Sequence, residues 1–330
     1  MIPVEMEMKS TREAFGEALV ELGRENNKVV VLSGDLEDST RCEYFKKEFP
    51  GRFFNLGIAE QDLVGTAVGL TFDGWIPFVC SFASFLLPSA YSVLRLSVCY
   101  NNKNVKLIGS HGGLTVGPDG ATAQSLEDFA ITRVLPNIRV ICPVDALETK
   151  KALRHIASLS GPVYMRLARI PFPVITQDAE PFEIGKANIL RRGKDVSIIA
   201  CGLMVSEALK AAQMLSREKI EAEIINMHTI KPLYEETIVQ SARATGAIVT
   251  AEEHQMYGGL GSAVAEVLGK RHPVPLEMVA VKDTFGESGE PEELLRKYQL
   301  KDTDIVNAAK SALKRKMRKF GQGEFRVAES

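Results

Sequence analysis

The chain has 330 residues, a length that at about 100–200 residues per domain predicts two domains with room for a third. Hydrophobic residues at 45% and charged residues at 25% suit a globular protein and argue against a disordered, collagen-like or disulfide-scaffold chain. Lys+Arg 40 against Asp+Glu 42 leaves a net charge of -2, so no global basic field invites nucleic acid, and no apolar run approaches the roughly 18 residues of a membrane span.

The start, Met1-Ile2-Pro3-Val4-Glu5-Met6-Glu7, lacks the basic and apolar regions of a signal peptide. Five cysteines (Cys42, Cys80, Cys99, Cys142, Cys201) are spread without a CxxC pair, which argues against disulfides and a zinc site, and the apolar stretches around Cys80, Cys99, Cys142 and Cys201 predict buried thiols in a cytoplasmic protein. Ser10 to Glu13 then reads as a capping box opening a first helix with Ala14, Leu19 and Leu22 on its apolar face. Short β-branched runs predict strands at Val29–Leu32, Phe53–Leu56, Ile76–Ser81, Val105–Gly109, Ile138–Ile141 and Val163–Leu167. Helical patterns lie between them at Glu60–Phe72, Pro88–Tyr100, Leu126–Leu135 and Ala146–Leu159. Alternation of this kind predicts an α/β fold, a doubly wound domain over residues 1–172.

Ile170-Pro171-Phe172-Pro173 breaks the pattern, because each proline removes a backbone donor, and residues 173–192 read as a linker with a short hairpin. A smaller α/β domain is expected over residues 193–312. Its strands are about four: Val196–Ala200, Ala222–Asn226, Ala247–Ala251 and Leu276–Val281. Its helices fit Val205–Ser216, Tyr234–Ala244 and Ser262–Leu268. A basic tail follows over 313–330, with Lys314, Arg315, Lys316, Arg318 and Lys319 close together. Such cations suit the negative end of a helix.

Three segments after predicted strands are candidates for chemistry, since open α/β sheets hold ligands at the carboxyl ends of their strands. Ser33 to Thr40 offers acids and hydroxyls that bind a ligand or cap a helix. Phe54 to Asp62 passes through Gly57 into a helix whose first turn carries Glu60. A partly buried glutamate there is a candidate for proton transfer, against the plainer reading as a charge–dipole contact. Gly109 to Thr122 has five glycines in fourteen residues, with His111 and Asp119, and fits neither a Walker A loop nor GxGxxG. Gly258-Gly259-Leu260-Gly261-Ser262 invites a dinucleotide reading or a tight turn into a helix.

Taken together, four stretches resemble the C-terminal half of transketolase: GDLEDSTRCEYFKKEFPGRFFNLGIAEQDLVGTAVGL, PFVCSFASFL, GSHGGLTVGPDGATAQSLEDFAITR and MHTIKPLYEETIVQSARATGAIVTAEEHQMYGGLGSAVAEVL. The resemblance runs in family order from about residue 10 to about residue 312 and implies a pyrimidine-binding domain followed by a smaller C-terminal domain. It implies thiamine diphosphate as cofactor and ketol transfer between sugar phosphates as activity. Glu60, in Ile-Ala-Glu-Gln, matches the catalytic glutamate that hydrogen-bonds the aminopyrimidine and promotes loss of the C2 proton. Phe82 and Phe85 match the aromatic cradle of that ring, and Asp35 and Leu36 match positions near the cofactor. His111 and Asp119 match substrate contacts, Arg169 the arginine that grips the sugar phosphate, and Ser39 a phosphate-binding serine.

The family's diphosphate domain carries Gly-Asp-Gly, which does not occur in this sequence. The resemblance therefore implies the C-terminal subunit of a split transketolase. Mg²⁺ and the diphosphate would be held by a separate N-terminal subunit, in a self-associating α2β2 assembly. Ala123 stands where many relatives have His, and Pro88 where an aromatic residue is common, so no particular ketose is carried over. A deoxyxylulose-phosphate-synthase-like enzyme shares Ile-Ala-Glu-Gln and the aromatic strand. A 2-oxo acid dehydrogenase β subunit shares the length and domain order, but Gly-Ser-His-Gly-Gly and Lys231-Pro232-Leu233 favour transketolase.

Overall fold

The computed structural model describes residues 7–321; residues 1–6 and 322–330, the latter the far part of the expected basic tail, lie outside them. The first half begins with β1 (Met8–Lys9), α1 (Thr11–Glu25), β2 (Val29–Ser33), α2 (Glu37–Thr40) and α3 (Glu43–Glu48). Next come β3 (Phe53–Asn55), α4 (Glu60–Thr71), β4 (Ile76–Phe82) and α5 (Ala83–Val93), which runs on into a π-helical turn, Leu94–Tyr100. β5 (Lys106–Ser110), a 3-10 segment (Leu114–Asp119), α6 (Asp128–Arg133), β6 (Arg139–Ile141), α7 (Ala146–Ser158), β7 (Val163–Arg166) and β8 (Phe172–Pro173) complete it. The second half holds β9 (Asn188–Arg191), β10 (Val196–Ala200), α8 (Met204–Arg217), β11 (Ala222–Asn226) and β12 (Thr229–Lys231). It ends with α9 (Glu235–Thr245), β13 (Ile248–Gln255), α10 (Leu260–Arg271), β14 (Leu276–Val281), α11 (Pro291–Lys297) and α12 (Asp302–Gly321).

Val29-Val30-Val31-Leu32-Ser33 of β2 and Val196-Ser197-Ile198-Ile199-Ala200 of β10 are buried at every position, as strands covered on both faces must be. β2 sits in a seven-stranded sheet ordered β12-β6-β7-β5-β4-β2-β3, parallel except for β12. β10 sits in a five-stranded sheet ordered β14-β13-β10-β11-β9, parallel except for β9. The chain goes from β2 to β3 on one side and then crosses to β4 on the other. That reversal opens a crevice between the carboxyl ends of β2 and β4, where such sheets bind ligands.

Four expectations change. Residues 188–191, read as linker, form β9 and raise the second sheet from about four strands to five. β12 comes from the second half yet closes the edge of the first sheet, so the two halves share a strand ladder as well as an interface. The helix read from Pro88 begins at Ala83; Pro88 lies inside it, where its ring forfeits a hydrogen bond without ending the helix. The proline-rich break is an edge element, β8, pairing antiparallel with β1. In the expected basic tail, Arg315 Nη1 donates to Leu276 O at 2.9 Å and Lys316 Nζ to Thr245 O at 2.7 Å, joining α12 to β14 and to the end of α9.

Candidate active site

Glu60 opens α4, whose Leu63, Val64 and Ala67 are buried and pull the first turn against the sheet. The carboxylate is thereby buried in the crevice, and Ser81 Oγ at the end of β4 donates to its Oε1 at 3.2 Å. Oε2 accepts no hydrogen bond from the described residues. Gly34, just beyond β2, lies beside this carboxylate, where a Cβ would be in ordinary contact with Glu60 Oε1 at 3.5 Å. Phe82, the next residue after Ser81, stacks on Phe85 (centroids 5.4 Å) and on His111 (3.8 Å). Phe82 is buried between these contacts, and Phe85 is the half-buried, more accessible ring.

His111 follows β5 with φ 59, a left-handed conformation uncommon for a residue with a side chain. Its Nδ1 meets Ser110 Oγ at 2.9 Å. Burial, then Arg12, Arg169 and Arg41, push its pKa down to about 3, so the imidazole is neutral at physiological pH. Arg12 donates from Nε to Arg169 O at 3.1 Å and from Nη1 to Ser39 O at 2.8 Å. Arg169 Nη1 bonds Val116 O and, at 3.1 Å, Asp119 Oδ1. Arg41 is tied to Glu13 and Asp38. Burial, then Arg41 and Arg169, hold the Arg12 guanidinium below its usual proton affinity. Arg41's charge is met by Glu13 and Asp38, whereas Arg12, bonded only to carbonyls, and Arg169 leave a positive field beside His111 that favours an anion.

The structure thus brings together Glu60, Phe82, Phe85, His111, Asp119, Arg169 and the backbone of Ser39. Asp35 is exposed with its Oδ1 bonded to Asn55 Nδ2 at 2.9 Å, and Leu36 precedes α2 with its N–H on Ser33 Oγ. No described hydrogen bond or ion pair joins Asp35 or Leu36 to that group, and no side chain caps α2, which starts after Leu36. Arg12, Arg41 and Ser81 were missed. A signal existed for Arg12: a cation in a helix's first turn opposes the dipole and needs another reason to be there. Ser10 Oγ accepts from Glu13 N as a cap should, but Glu13 turns to Arg41 and Tyr44 instead of closing the box.

The second glycine cluster is a turn. The Glu252 carboxylate accepts from Leu260 N and Gly261 N, both at 2.7 Å, and occupies the helix N-terminus that a dinucleotide phosphate would need. All five cysteines are buried and free. Among the described residues, no group of three or more His, Cys, Asp or Glu side chains could hold a metal ion. A buried carboxylate beside stacked rings fits an aminopyrimidine, and the arginine recess fits an anionic sugar. The described residues offer no acid cluster that fits Mg²⁺.

Residues 7–173 match the model of the transketolase pyrimidine binding domain, and residues 185–305 that of the transketolase C-terminal domain. A transketolase C-terminal section from Methanocaldococcus jannaschii is 44% identical over 310 residues, covering 93% of this chain and 97% of the relative. The 6-deoxy-6-sulfo-D-fructose transketolase subunit SqwH of Clostridium sp. (strain MSTE9) is 42% identical, covering 95% and 97%. A solved structure described as a split gene transketolase, inactive beta4 tetramer, is 49% identical with a TM-score of 0.88, covering 93% of this chain and 99% of that one. In contrast, the chain spans about half, 49%, of human transketolase.

Proposed function

The chain belongs to the transketolase family, and from that premise we propose that it is one subunit of a thiamine-diphosphate-dependent enzyme that moves a two-carbon ketol unit from a ketose phosphate to an aldose phosphate. A separate N-terminal subunit supplies the ligands for Mg²⁺ and the diphosphate. The observation that carries the reading is the meeting, at the crevice between β2 and β4, of a buried Glu60, the Phe82–Phe85–His111 stack and an arginine recess.

The bound cofactor supplies a thiazolium that stabilises negative charge on the transferred carbons. The chain's own residues do the rest. Ser81 fixes Glu60 Oε1, which leaves Oε2 to hold a proton against a pyrimidine ring nitrogen. Phe85 offers a face for that ring, and Phe82 sets the angle of both Phe85 and His111. Neutral His111, with Nδ1 engaged by Ser110, presents Nε2 to a sugar hydroxyl. Arg12 and Arg169, each anchored through part of its guanidinium, turn their remaining N–H groups to a terminal phosphate, and Asp119 orients Arg169.

Two facts support the need for a partner. Relatives matched nearly end to end carry subunit or section in their names, whereas the human protein is about twice as long. The homologous β4 tetramer is described as inactive. Self-association in an α2β2 assembly has support in that tetramer and in Ile58, Phe72 and Tyr100, large apolar side chains left 85%, 71% and 81% exposed around α4 and the π-helical turn. Buried free thiols support the cytoplasm.

The test is reconstitution. The chain, a candidate N-terminal subunit, thiamine diphosphate and Mg²⁺ are mixed, and transfer from xylulose 5-phosphate to ribose 5-phosphate is assayed. Transfer should require both chains. Pyruvate decarboxylation in place of transfer would overturn the reading in favour of another thiamine diphosphate enzyme.

A further inference from the structure

Glu253 lies in β13 of the second sheet, with its carboxylate buried at the seam between the halves. Its side-chain hydrogen bonds among the described residues all come from Thr115: the backbone N–H bonds Oε1, and Oγ1 bonds Oε2 at 3.2 Å. Thr115 belongs to the 3-10 segment whose Val116 carbonyl and Asp119 carboxylate hold Arg169. The Glu253 carbonyl in turn accepts from Arg166 Nη1 at 2.8 Å, and Arg166 stands three residues before Arg169 and is locked to Asp128. One residue therefore grips both the segment that leads to Arg169 and the segment that holds its guanidinium.

The fit is close. Gly113 has φ 89, and a Cβ there would lie 2.3 Å from Glu253 Cδ, so the loop reaches the carboxylate only through a glycine. Burying a carboxylate is costly, and apolar side chains would close a merely structural seam at less cost. Here the buried acid's side-chain partners lie in the loop that faces the substrate.

We propose that Glu253 is a positioning residue by which the second domain fixes the glycine-rich loop and so sets the affinity of the site for the anionic end of the sugar. This rests on the ketol-transfer reading, and it gives the second domain a part in substrate binding.

Hydrogen exchange of residues 113–119, measured on the full chain alone, tests the contact, and steady-state kinetics of the reconstituted enzyme test its use. Glu253→Ala should speed exchange in that segment about tenfold. It should raise KM for the ketose phosphate by about 10- to 100-fold with kcat within about threefold, as expected when binding geometry alone is loosened. Glu253→Gln keeps an acceptor for Thr115 N–H and a donor for Oγ1, and should restore both readouts. Thr115→Val, a smaller lesion, should raise KM in the same direction and carries the test if Glu253→Ala does not fold. Unchanged exchange and KM in these variants, or an equal KM rise in Glu253→Gln and Glu253→Ala, overturns the proposal. A wild-type reconstitution without ketol transfer overturns the functional reading instead, and the exchange result then decides on Glu253 by itself.

Discussion

The imidazole of His111 lies on the ring of Phe82, centroids 3.8 Å apart and planes 21° from parallel, so a candidate substrate ligand and a candidate cofactor contact form one stacked unit. The unit explains the left-handed backbone at His111: φ 59 turns the ring back over the end of β4 instead of away from it. A left-handed non-glycine residue costs on the order of 1 kcal/mol, and the stack with the Ser110 contact offsets it.

A charge state follows. Burial, reinforced by Arg12, Arg169 and Arg41, drives the His111 pKa down to about 3. The unfolded chain then binds the extra proton between pH 3 and about 6.5, so this residue's contribution to stability is present above that window and is lost as pH falls through it. In the chain without bound anion, the His111 imidazole NMR signals should stay flat from pH 5 to 8. A midpoint near 6.5 would show that the ring is not enclosed as described.

Glu60→Gln keeps the shape of the side chain and an oxygen for Ser81 Oγ, and removes the carboxylate. In the reconstituted enzyme kcat should fall at least about 10²-fold, the scale on which positioned proton transfer acts. Assembly with the partner subunit should be unaffected, as measured by sedimentation. Full activity in this variant would remove Glu60 from its proposed role.

Arg12 separates charge from geometry. Arg12→Ala should raise KM for xylulose 5-phosphate about 10- to 100-fold, and should largely erase the preference over the unphosphorylated sugar. Arg12→Lys should rescue little, because one ammonium cannot replace Nε on Arg169 O together with Nη1 on Ser39 O. Lysine restoring full discrimination would mean that Arg12 supplies charge alone.

Much of this was legible along the chain because parallel strands covered on both faces advertise themselves. The bounds read for Val196–Ala200, Ala222–Asn226 and Leu276–Val281 coincide with β10, β11 and β14. β9 and β12 were not legible, being short edge strands whose pairing with β11 and β6 is decided by tertiary contact. At the site, Glu60 and His111 stood out through their place after a strand and the glycine-rich context, whereas Phe82 and Phe85 read as core residues until the family resemblance marked them. Ser81 looked like any strand residue. Glu253 looked like one acid in an Ala-Glu-Glu-His run, and its partner Thr115 lies 138 residues away. Contacts at such separation leave no local pattern to read.

Glu148 tests the seam from another side. It lies buried in α7, accepts from Val144 N at 2.6 Å and Asn226 Nδ2 at 2.9 Å, and has no ion pair among the described residues, and burial lifts its pKa to about 8. Between about pH 4.5 and pH 8 the folded chain holds a proton that the unfolded chain releases, so stability falls as pH rises through that window. Each pKa unit corresponds to about 1.4 kcal/mol. Asn226 Oδ1 is buried without a partner, and turning that amide would let it accept a proton from neutral Glu148 or from a glutamine. Glu148→Gln should therefore raise the melting temperature at pH 8.5 relative to the parent and flatten its decline from pH 5. Glu252 and Glu253, both lifted to about 7 by burial, keep part of the decline in the variant, and the depressed histidines act equally in both chains. The informative quantity is thus the difference between the two melting curves. Parallel curves across the whole range would show that Glu148 carries no proton at the seam.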